Sequence, residues 1–467
     1  MTSKHWALVG GAVACLIPFT VSAAPWIGPG DLRERHTIQA QADSGQLNRT
    51  VTTWPIQKAS IGQEPSQEAS RHLSLEGASE RPFLRSFSGE PLEHGELGLE
   101  VEYQGDWWAV GLSPSVAVDP ADDDSFRLDG SYVAMNAFNW QFGAGAVDRW
   151  WGPGWQSSLI LSNNARPAPG IWLNRVDEKP FETPLLSWIG PWQLTFAASQ
   201  LEEEREVSEP LWVGIRGTFR PVPGLDIGLT RTFLLGGEGR SSSLGTFWDA
   251  FTGNDNPRDS SEDPSNQLGA VDIRYGFGIG EETAGIYTQM MGEDEAGGFP
   301  ARKSWLFGAD ATTSLWGRKQ RWFIEATDTL ADNLFGDPMP DISYEHRVYR
   351  TGYRYKGRNM AASIDSDSQA FTVGYYDFFG SGSTLGASVT LLDLMANPES
   401  RVTVPDPDVE YTVPARDQSV LVVSGHYEMP VRIGKLSLYA QLAEDKIEVR
   451  SGELDQWSVS ARWSHSF

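Results

Sequence analysis

Cysteine is almost absent from this sequence. Its one thiol, Cys15, lies in an apolar stretch near the N-terminus, and the remainder of the 467 residues has none. A framework of disulfides is therefore excluded, so the fold must be held together by hydrogen bonds and burial.

Positive charge is also scarce. The chain has 37 Lys and Arg against 62 Asp and Glu, which leaves a net charge of −25. Such an acidic chain repels nucleic acid, which we exclude as a partner. After Pro25 no apolar run reaches the roughly 20 residues that a membrane-spanning helix needs.

Signatures of catalysis are missing as well. None of the seven histidines falls in a spacing typical of a Ser-His pair or a metal site. The glycines of "GFGIGEETAG" at Gly276 lack the strand–helix context of a nucleotide site. The sequence therefore predicts no enzyme, no catalytic residue, no metal site and no cofactor. An outer-membrane hydrolase stays open as a third class, which would need a Ser and a His facing one site.

What the N-terminus does have is the layout of a secretory signal peptide. "MTSKH" supplies a positive charge, "WALVGGAVACLIPFTV" an apolar core, and "SAA" small residues for cleavage after Ala23 or Ala24. We assign residues 1–24 to this peptide, which predicts export of the mature chain.

From Glu96 onward the chain consists of strand-length segments in which apolar and polar residues alternate. In "LGLEVEYQ", Leu97, Leu99 and Val101 share one face, while Glu100 and Glu102 share the other. In "LDIGLTRTF" the same alternation is broken only by Arg231. Each segment presents one apolar and one polar surface.

A soluble β-sandwich and an outer-membrane β-barrel both produce this pattern. The barrel is favoured because charges and glycines recur on the polar face and aromatic residues crowd the strand ends. The last segment, "WSVSARWSHSF", also alternates up to a terminal Phe467, as is typical of outer-membrane barrels. Closure would remove the exposed edges of so many strands.

Short and long connections alternate along the chain, as periplasmic turns and extracellular loops do. Counting back from Phe467 gives about 14 strands to Trp192, with three or four more before it. We therefore predict an all-β, transmembrane antiparallel barrel of about 18 strands, spanning residues 96–467 and located in the cell outer membrane.

Residues 25–95 differ in character and are predicted to form a helical N-terminal region. Asp31 is a plausible N-cap, so a helix is expected from about Leu32 to Asp43, and a second one around Gln67 to Leu73. This region would be an internal plug or a periplasmic face, and a flexible linker is the alternative.

One segment is compositionally unusual: "VDRWWGPGWQSSLILSNNARPAPG" from Val147. "WWGPGW" at Trp150 and "SLILSNNARPAPG" from Ser158 resemble the characteristic segment of the capsule assembly Wzi family of outer-membrane proteins. "DLRERHTIQAQADSGQLNRTVTTWPI" from Asp31 is similar to the helical N-terminus of that family. The resemblance implies a barrel of about 18 strands closed by a helical plug, which helps to attach or organise surface polysaccharide as a lectin.

Two roles stay open for this motif. Its flat indole rings could stack on sugars while its polar groups bond hydroxyls or carboxylates, or the segment could pack against the plug as a latch. The residues in question are Arg149, Trp150, Trp151, Trp155, Asn163, Asn164 and Arg166.

A second candidate is "YEHRVYRTGYRYKGR" from Tyr344, read as a strand whose tyrosines face lipid. Its other face would carry a basic luminal ladder of His346, Arg350, Arg354, Lys356 and Arg358. Internal salt bridges to Glu100, Glu102, Asp226 and Asp272 are favoured, since buried charges need partners. A guide for an anionic polysaccharide is the alternative.

Acidic loops follow Asp119, Leu201 and Gly253, and none of them predicts a metal site, although clustered carboxylates could bridge to lipopolysaccharide through Ca²⁺ or Mg²⁺. We therefore expect a non-enzymatic protein that anchors or helps to assemble capsular or extracellular polysaccharide. Its partners would be this polysaccharide, outer-membrane lipid and lipopolysaccharide, and it would act as a monomer. A porin or channel is the alternative.

Overall fold

A computed structural model describes residues 23–63, 67–252, 265–293, 302–332, 338–394 and 400–467. Residues 1–22 of the predicted signal peptide and most of the acidic loop from Gly253 lie outside these residues. Within them the chain forms a closed antiparallel barrel of 18 strands, two of which are interrupted. The predicted fold class is confirmed.

The barrel strands run in chain order around the wall, with these bounds: β1 Glu68–Ala78, β2 Gly95–Gln104, β3 Trp108–Leu112 with Ser115–Val118, β4 Phe126–Arg127 with Tyr132–Ala137, β5 Trp140–Gly145, β6 Gly170–Arg175, β7 Trp192–Gln200, β8 Leu211–Val222, β9 Leu225–Leu235, β10 Ser265–Ile279, β11 Glu282–Glu293, β12 Arg302–Leu315, β13 Arg318–Asp332, β14 Gln369–Phe378, β15 Thr384–Leu394, β16 Gln418–Pro430, β17 Lys435–Ala443 and β18 Trp457–Ser466.

The barrel closes where β18 pairs with β1, with Ser460 opposite Ala78 and Ser466 opposite His72. The helix predicted around Gln67 to Leu73 is therefore wrong, because this stretch is the first barrel strand. Ser70 and Glu76 point inward and Leu75 points outward, as in a strand, whose side chains alternate between two faces. Pairing with the last strand stabilises this conformation. The barrel thus begins inside the stretch assigned to the helical region.

The barrel wall has apolar side chains on its outside and polar side chains on its inside, the reverse of a soluble protein. Leu97 on β2 is 53% exposed on the outside, whereas Asp226 and Asp272 are fully buried on the inside. An apolar exterior around a polar interior is suited to contact with lipid and excludes the soluble β-sandwich. No helix among the described residues has both the length and the apolar character needed to cross a membrane.

The two ends of the barrel differ in their connections. One end has tight turns, such as 223–224, 280–281 and 316–317, and also carries exposed Trp188 and Trp316. The other end has the long loops. Short turns mark the periplasmic side and long loops the extracellular side.

Helix α1, Leu32–Asp43, forms as predicted and lies inside the periplasmic half of the barrel. The Asp31 side chain caps it by accepting a hydrogen bond of 2.9 Å from the amide of Glu34. Arg33 donates to the carbonyl of Ser383 at 2.6 Å, and Asp43 pairs with Arg274 on β10 at 2.5 Å. The helix is therefore an internal plug and not a linker.

Helix α2, Leu244–Thr252, lies instead on the outer surface. It covers Phe233 and Leu235 of β9, which face outward yet are buried. Arg231 donates to the carbonyls of Ala250 and Phe251 at the end of this helix, at 3.2 and 2.9 Å. Because the last carbonyls of a helix lack internal partners, this contact explains the one charge on the apolar face of β9.

The lumen is filled by three segments that fold inward from the extracellular end, residues 79–94, 146–169 and 338–368, and by α1 from the periplasmic end. The remaining short elements are the 3-10 turns Lys58–Ile61 and Ser187–Ile189 and four ribbons, namely Trp26–Ile27 with Ile56–Gln57, Thr53–Trp54 with Trp150–Trp151, Arg354–Tyr355 with Arg358–Asn359, and Ile447–Val449 with Gly452–Leu454.

The strand total agrees with the prediction, but its distribution differs. Among the described residues, 12 strands run from Trp192 to the end where 14 were expected, and six precede it. The segment from Tyr344 folds into the lumen, and the hairpin 447–454 forms a separate two-stranded sheet. Neither contributes a barrel strand.

Candidate functional site

The tryptophan motif lies inside the lumen. Trp150 and Trp151 pair with Trp54 and Thr53 in an antiparallel ribbon that joins the inward loop to the N-terminal region. Trp150, Trp151 and Trp155 are each at most 1% exposed. A sugar ring cannot reach their faces in this arrangement.

Helix α1 holds the turn of the motif through one arginine. The Arg35 guanidinium lies 4.0 Å from the ring centre of Trp155 and 4.2 Å from that of Phe87. It also donates to the carbonyls of Pro153 and Gly154, at 2.8 Å each. A Cβ on Gly154 would lie 2.1 Å from the Ser157 carbonyl, so only glycine fits this turn.

The barrel wall holds the same segment from the other side. Glu325 on β13 accepts hydrogen bonds from the amides of Gln156 and Ser157 at 3.1 Å and from the Tyr287 hydroxyl at 2.8 Å. Gln289 on β11 accepts from the amide of Leu159 at 2.7 Å. Side chains of the wall thus bind main-chain amides of the inward loop 146–169 and hold this loop in position.

The polar residues of the motif also have protein partners. The Asn164 amide group donates to the Asn359 carbonyl at 2.8 Å, and Asn163 is buried beside Phe87. Arg166 pairs with Asp129 at 2.7 Å and also with Asp122.

Arg149 differs from these residues because its partner is aromatic. Its guanidinium lies 5.2 Å from the ring centre of Trp172 on β6. Together these contacts join the predicted motif to the plug, to the other inward loops and to the wall.

The predicted basic ladder does not form. Tyr349, Tyr353 and Tyr355 are buried in the lumen instead of facing lipid or the interface, and the segment is not a barrel strand. The backbone turns at Gly352 and Gly357, with φ of 74° and 81°, a left-handed conformation that interrupts an extended chain.

Three of the five ladder residues are tied into the interior, each with a different partner. Arg354 pairs with Asp365 at 3.0 Å through its Nε, Lys356 with Asp124 at 2.9 Å, and Arg358 donates to the Phe83 carbonyl at 3.0 Å. Burial, with Arg85 nearby, lowers the pKa of Arg358 to about 9.

The other two lie nearer the surface. His346 Nδ1 accepts a hydrogen bond from the amide of Tyr349 at 3.1 Å, and the side chain of Arg350 is exposed.

Two of the acids proposed as ladder partners pair with other cations, and a third accepts hydrogen bonds from neutral groups. Asp226 pairs with Arg220 and Asp272 with Arg216, both at 2.6 Å. Glu102 accepts from the Tyr132 hydroxyl at 3.1 Å and from the amide of Ala24 at 3.2 Å. Internal pairing was thus the right kind of interaction, but the partners were wrong.

The extracellular mouth carries a feature that the sequence did not reveal, a set of exposed arginines on three loops. We call Arg347, Arg350, Arg401 and Arg450 the arginine patch. Loop 400–417 links its parts, because the amide of Thr403 donates to the Arg350 carbonyl at 3.1 Å and Arg450 donates to the Ser400 carbonyl at 2.8 Å. Exposed guanidinium groups suit carboxylates and hydroxyls.

A closed barrel with a greasy exterior, a filled lumen and long loops at one end defines a plugged outer-membrane β-barrel. The chain belongs to the capsule assembly protein Wzi family, which matches residues 64–444.

Two similar proteins agree with this membership. A 55.8 kDa protein of the cps region of Klebsiella pneumoniae is 32% identical over 325 residues, which cover 63% of this chain. The match spans 64% of the length of that relative. The solved structure of Wzi from Escherichia coli, described as a carbohydrate-binding outer-membrane barrel involved in group 1 capsule assembly, superposes with a TM-score of 0.80. It is 23% identical, and the match covers 95% of this chain and 100% of that one.

Proposed function

We propose that this protein binds surface polysaccharide at its extracellular mouth and holds or helps to assemble it there, without catalysing a reaction. The observation that carries the proposal is the arginine patch, which lies on the extracellular loops of an otherwise acidic chain. Membership of the capsule assembly family and the description of the Escherichia coli protein support it. The partner would be a capsular or extracellular polysaccharide.

The chemistry of the patch favours a polymer with carboxylate groups. A planar guanidinium binds a carboxylate with two parallel hydrogen bonds, which a neutral sugar cannot reproduce. Each contact at an exposed site is weak, but a polysaccharide repeats its epitope many times, so weak contacts add up along the chain.

We propose a structural role for the tryptophan motif. Trp150, Trp151 and Trp155 latch the inward loops to α1 and the wall, and this packing stabilises the folded barrel. The exterior of the barrel contacts lipid and lipopolysaccharide, and the chain functions as a monomer.

The channel alternative predicts an open water path, which the filled lumen disfavours. Planar-bilayer recording separates the two ideas, because a plugged barrel gives no steady current. A stable, voltage-independent conductance from the intact protein would favour the channel.

A binding experiment with purified protein tests the proposal. Immobilised hyaluronate supplies carboxylates and dextran serves as the neutral polymer. We expect retention on hyaluronate that falls about tenfold in Arg350→Gln/Arg401→Gln, the loss of two exposed charge-assisted contacts of about 0.7 kcal/mol each. Arg432→Gln, an exposed change at the periplasmic end, is the control. Equal binding by the patch variant and the control would overturn the proposal.

A further inference from the structure

Three carboxylates from two stretches of the extracellular segment converge beneath the arginine patch. Asp341, Glu345 and Asp367 each offer one oxygen, and these oxygens lie within 4.8 Å of one another. Asp367 is fully buried and Glu345 is 3% exposed. Like charges at such distances repel strongly away from water.

Arginines lie on the stretches that form or contact the cluster. Arg354 is used by Asp365, and Arg401, which is largely exposed, lies 3.8 Å from Asp341. Burial first, and then the neighbouring carboxylates, raise the pKa of Asp367 to about 7.

One oxygen of the cluster lacks a protein partner. Asp367 Oδ2 accepts a hydrogen bond of 2.8 Å from the amide of Asp341, whereas its Oδ1 has no hydrogen-bond partner among the described residues. A fully buried carboxylate oxygen without a partner is costly and calls for a ligand.

The remaining member is held in a fixed orientation. Glu345 Oε1 accepts from the hydroxyls of Ser366 and Ser400 at 2.9 and 2.8 Å, and Oε2 accepts from the amide of Arg401 at 2.9 Å. The cluster therefore lies in the inward segment and contacts loop 400–417 through Glu345. These two parts carry three of the four patch arginines.

We propose that Asp341, Glu345 and Asp367 form a Ca²⁺ site within the inward segment, which fixes Glu345 and thereby steadies its hydrogen bonds to loop 400–417. Ca²⁺ prefers carboxylate and carbonyl oxygens at about 2.3–2.6 Å, so two of its ligands are at most about 5 Å apart, as here. The three ligands are all oxygens, and the irregular loop setting suits the flexible coordination of Ca²⁺ better than the strict octahedron of Mg²⁺. The site goes beyond polysaccharide binding and does not depend on it.

The test is calorimetric titration of CaCl₂ into the full chain, purified in detergent, freed of metal by chelator and studied without any glycan. We expect one saturable site, with affinity lowered at least about tenfold in Asp367→Asn and in the less buried Asp341→Asn. Asp408→Asn, an exposed carboxylate on loop 400–417, is the matched control and should bind like the native protein.

Folding of each variant is checked by its heat-dependent shift in gel mobility, so a loss of binding is scored only for folded barrels. No saturable uptake by the native protein up to about 10 mM, beyond the range of extracellular Ca²⁺ modules, would overturn the proposal. Unchanged affinity in both folded cluster variants would overturn it as well. Either outcome leaves the hyaluronate result untouched, because no polysaccharide is present.

Discussion

The periplasmic half of the lumen and the extracellular cluster treat buried carboxylates in opposite ways. In the first, each of Asp43, Asp226 and Asp272 contacts a buried guanidinium at 2.5–2.6 Å. In the second, three carboxylates converge, and the largely exposed Arg401 lies 3.8 Å from one of them, Asp341. The periplasmic half thus pairs its buried charges within the protein, whereas we propose that the charges of the extracellular end bind a cation and a polymer.

The largest expected effect comes from breaking a complete pair. Asp272→Ala leaves the Arg216 guanidinium buried without a carboxylate, and we expect the free energy of unfolding to fall by about 3–5 kcal/mol. Urea titration of the barrel in lipid measures it. Arg216→Met/Asp272→Leu removes both charges and should recover most of the loss, while a single variant as stable as the native protein would contradict the closure account.

Removing the latch should lower the free energy of unfolding by a similar or slightly smaller amount. Trp155→Ala empties a fully buried site between Arg35 and Phe323, with an expected loss of about 3–5 kcal/mol by the same titration. Trp316→Ala, at an indole that is 80% exposed in a periplasmic turn, is the control. Hyaluronate retention by the folded fraction of Trp155→Ala should be unchanged, and a selective loss of retention with normal stability would make the motif a sugar site.

The dependence of hyaluronate retention on salt concentration tests the role of the extracellular end. If guanidinium–carboxylate contacts hold the polymer, hyaluronate retention should fall about tenfold between roughly 0.05 and 0.5 M NaCl, since the Debye length shortens severalfold. Dextran retention, measured in parallel, should not change. Salt-insensitive binding of hyaluronate would mean that the arginine patch does not supply the affinity.

Removal of Ca²⁺ should give a smaller and local effect. Trypsin cleavage after the exposed Arg347 and Arg350 should speed up severalfold with chelator, because the segment opens more often when its tie to loop 400–417 is lost. Cleavage after Arg432 at the periplasmic end serves as the internal reference. Asp367→Asn should be cleaved at the fast rate with or without Ca²⁺. A cleavage rate of the native protein that does not depend on Ca²⁺ would contradict the proposed site.

Much of the fold could be predicted because the barrel repeats a local rule. Alternation in segments such as "LGLEVEYQ" and the terminal "WSVSARWSHSF" indicates strands with one greasy face, and Asp31 correctly marks the start of α1. The first strand was missed because β1 has few apolar residues on its outer face, and only its long-range pairing with β18 stabilises it.

The sites were harder to predict because their residues come together only in three dimensions. Tyr349, Tyr353 and Tyr355 have the spacing of one face of a strand, yet the backbone turns at Gly352 and Gly357 and the segment lies in the lumen. The arginine patch draws on three separate loops, and Glu345 meets Asp367 through a loop path. No spacing in the sequence encodes such proximity.

The central claim is that the extracellular mouth, and not the lumen, holds the polysaccharide. Cells lacking the gene, complemented with native protein, Arg350→Gln/Arg401→Gln or Arg432→Gln at equal surface levels, test it through the fraction of polysaccharide that stays cell-bound. We predict retention with the native protein and Arg432→Gln and loss with the patch variant. Full retention by cells without the protein, or by the patch variant, would contradict the claim.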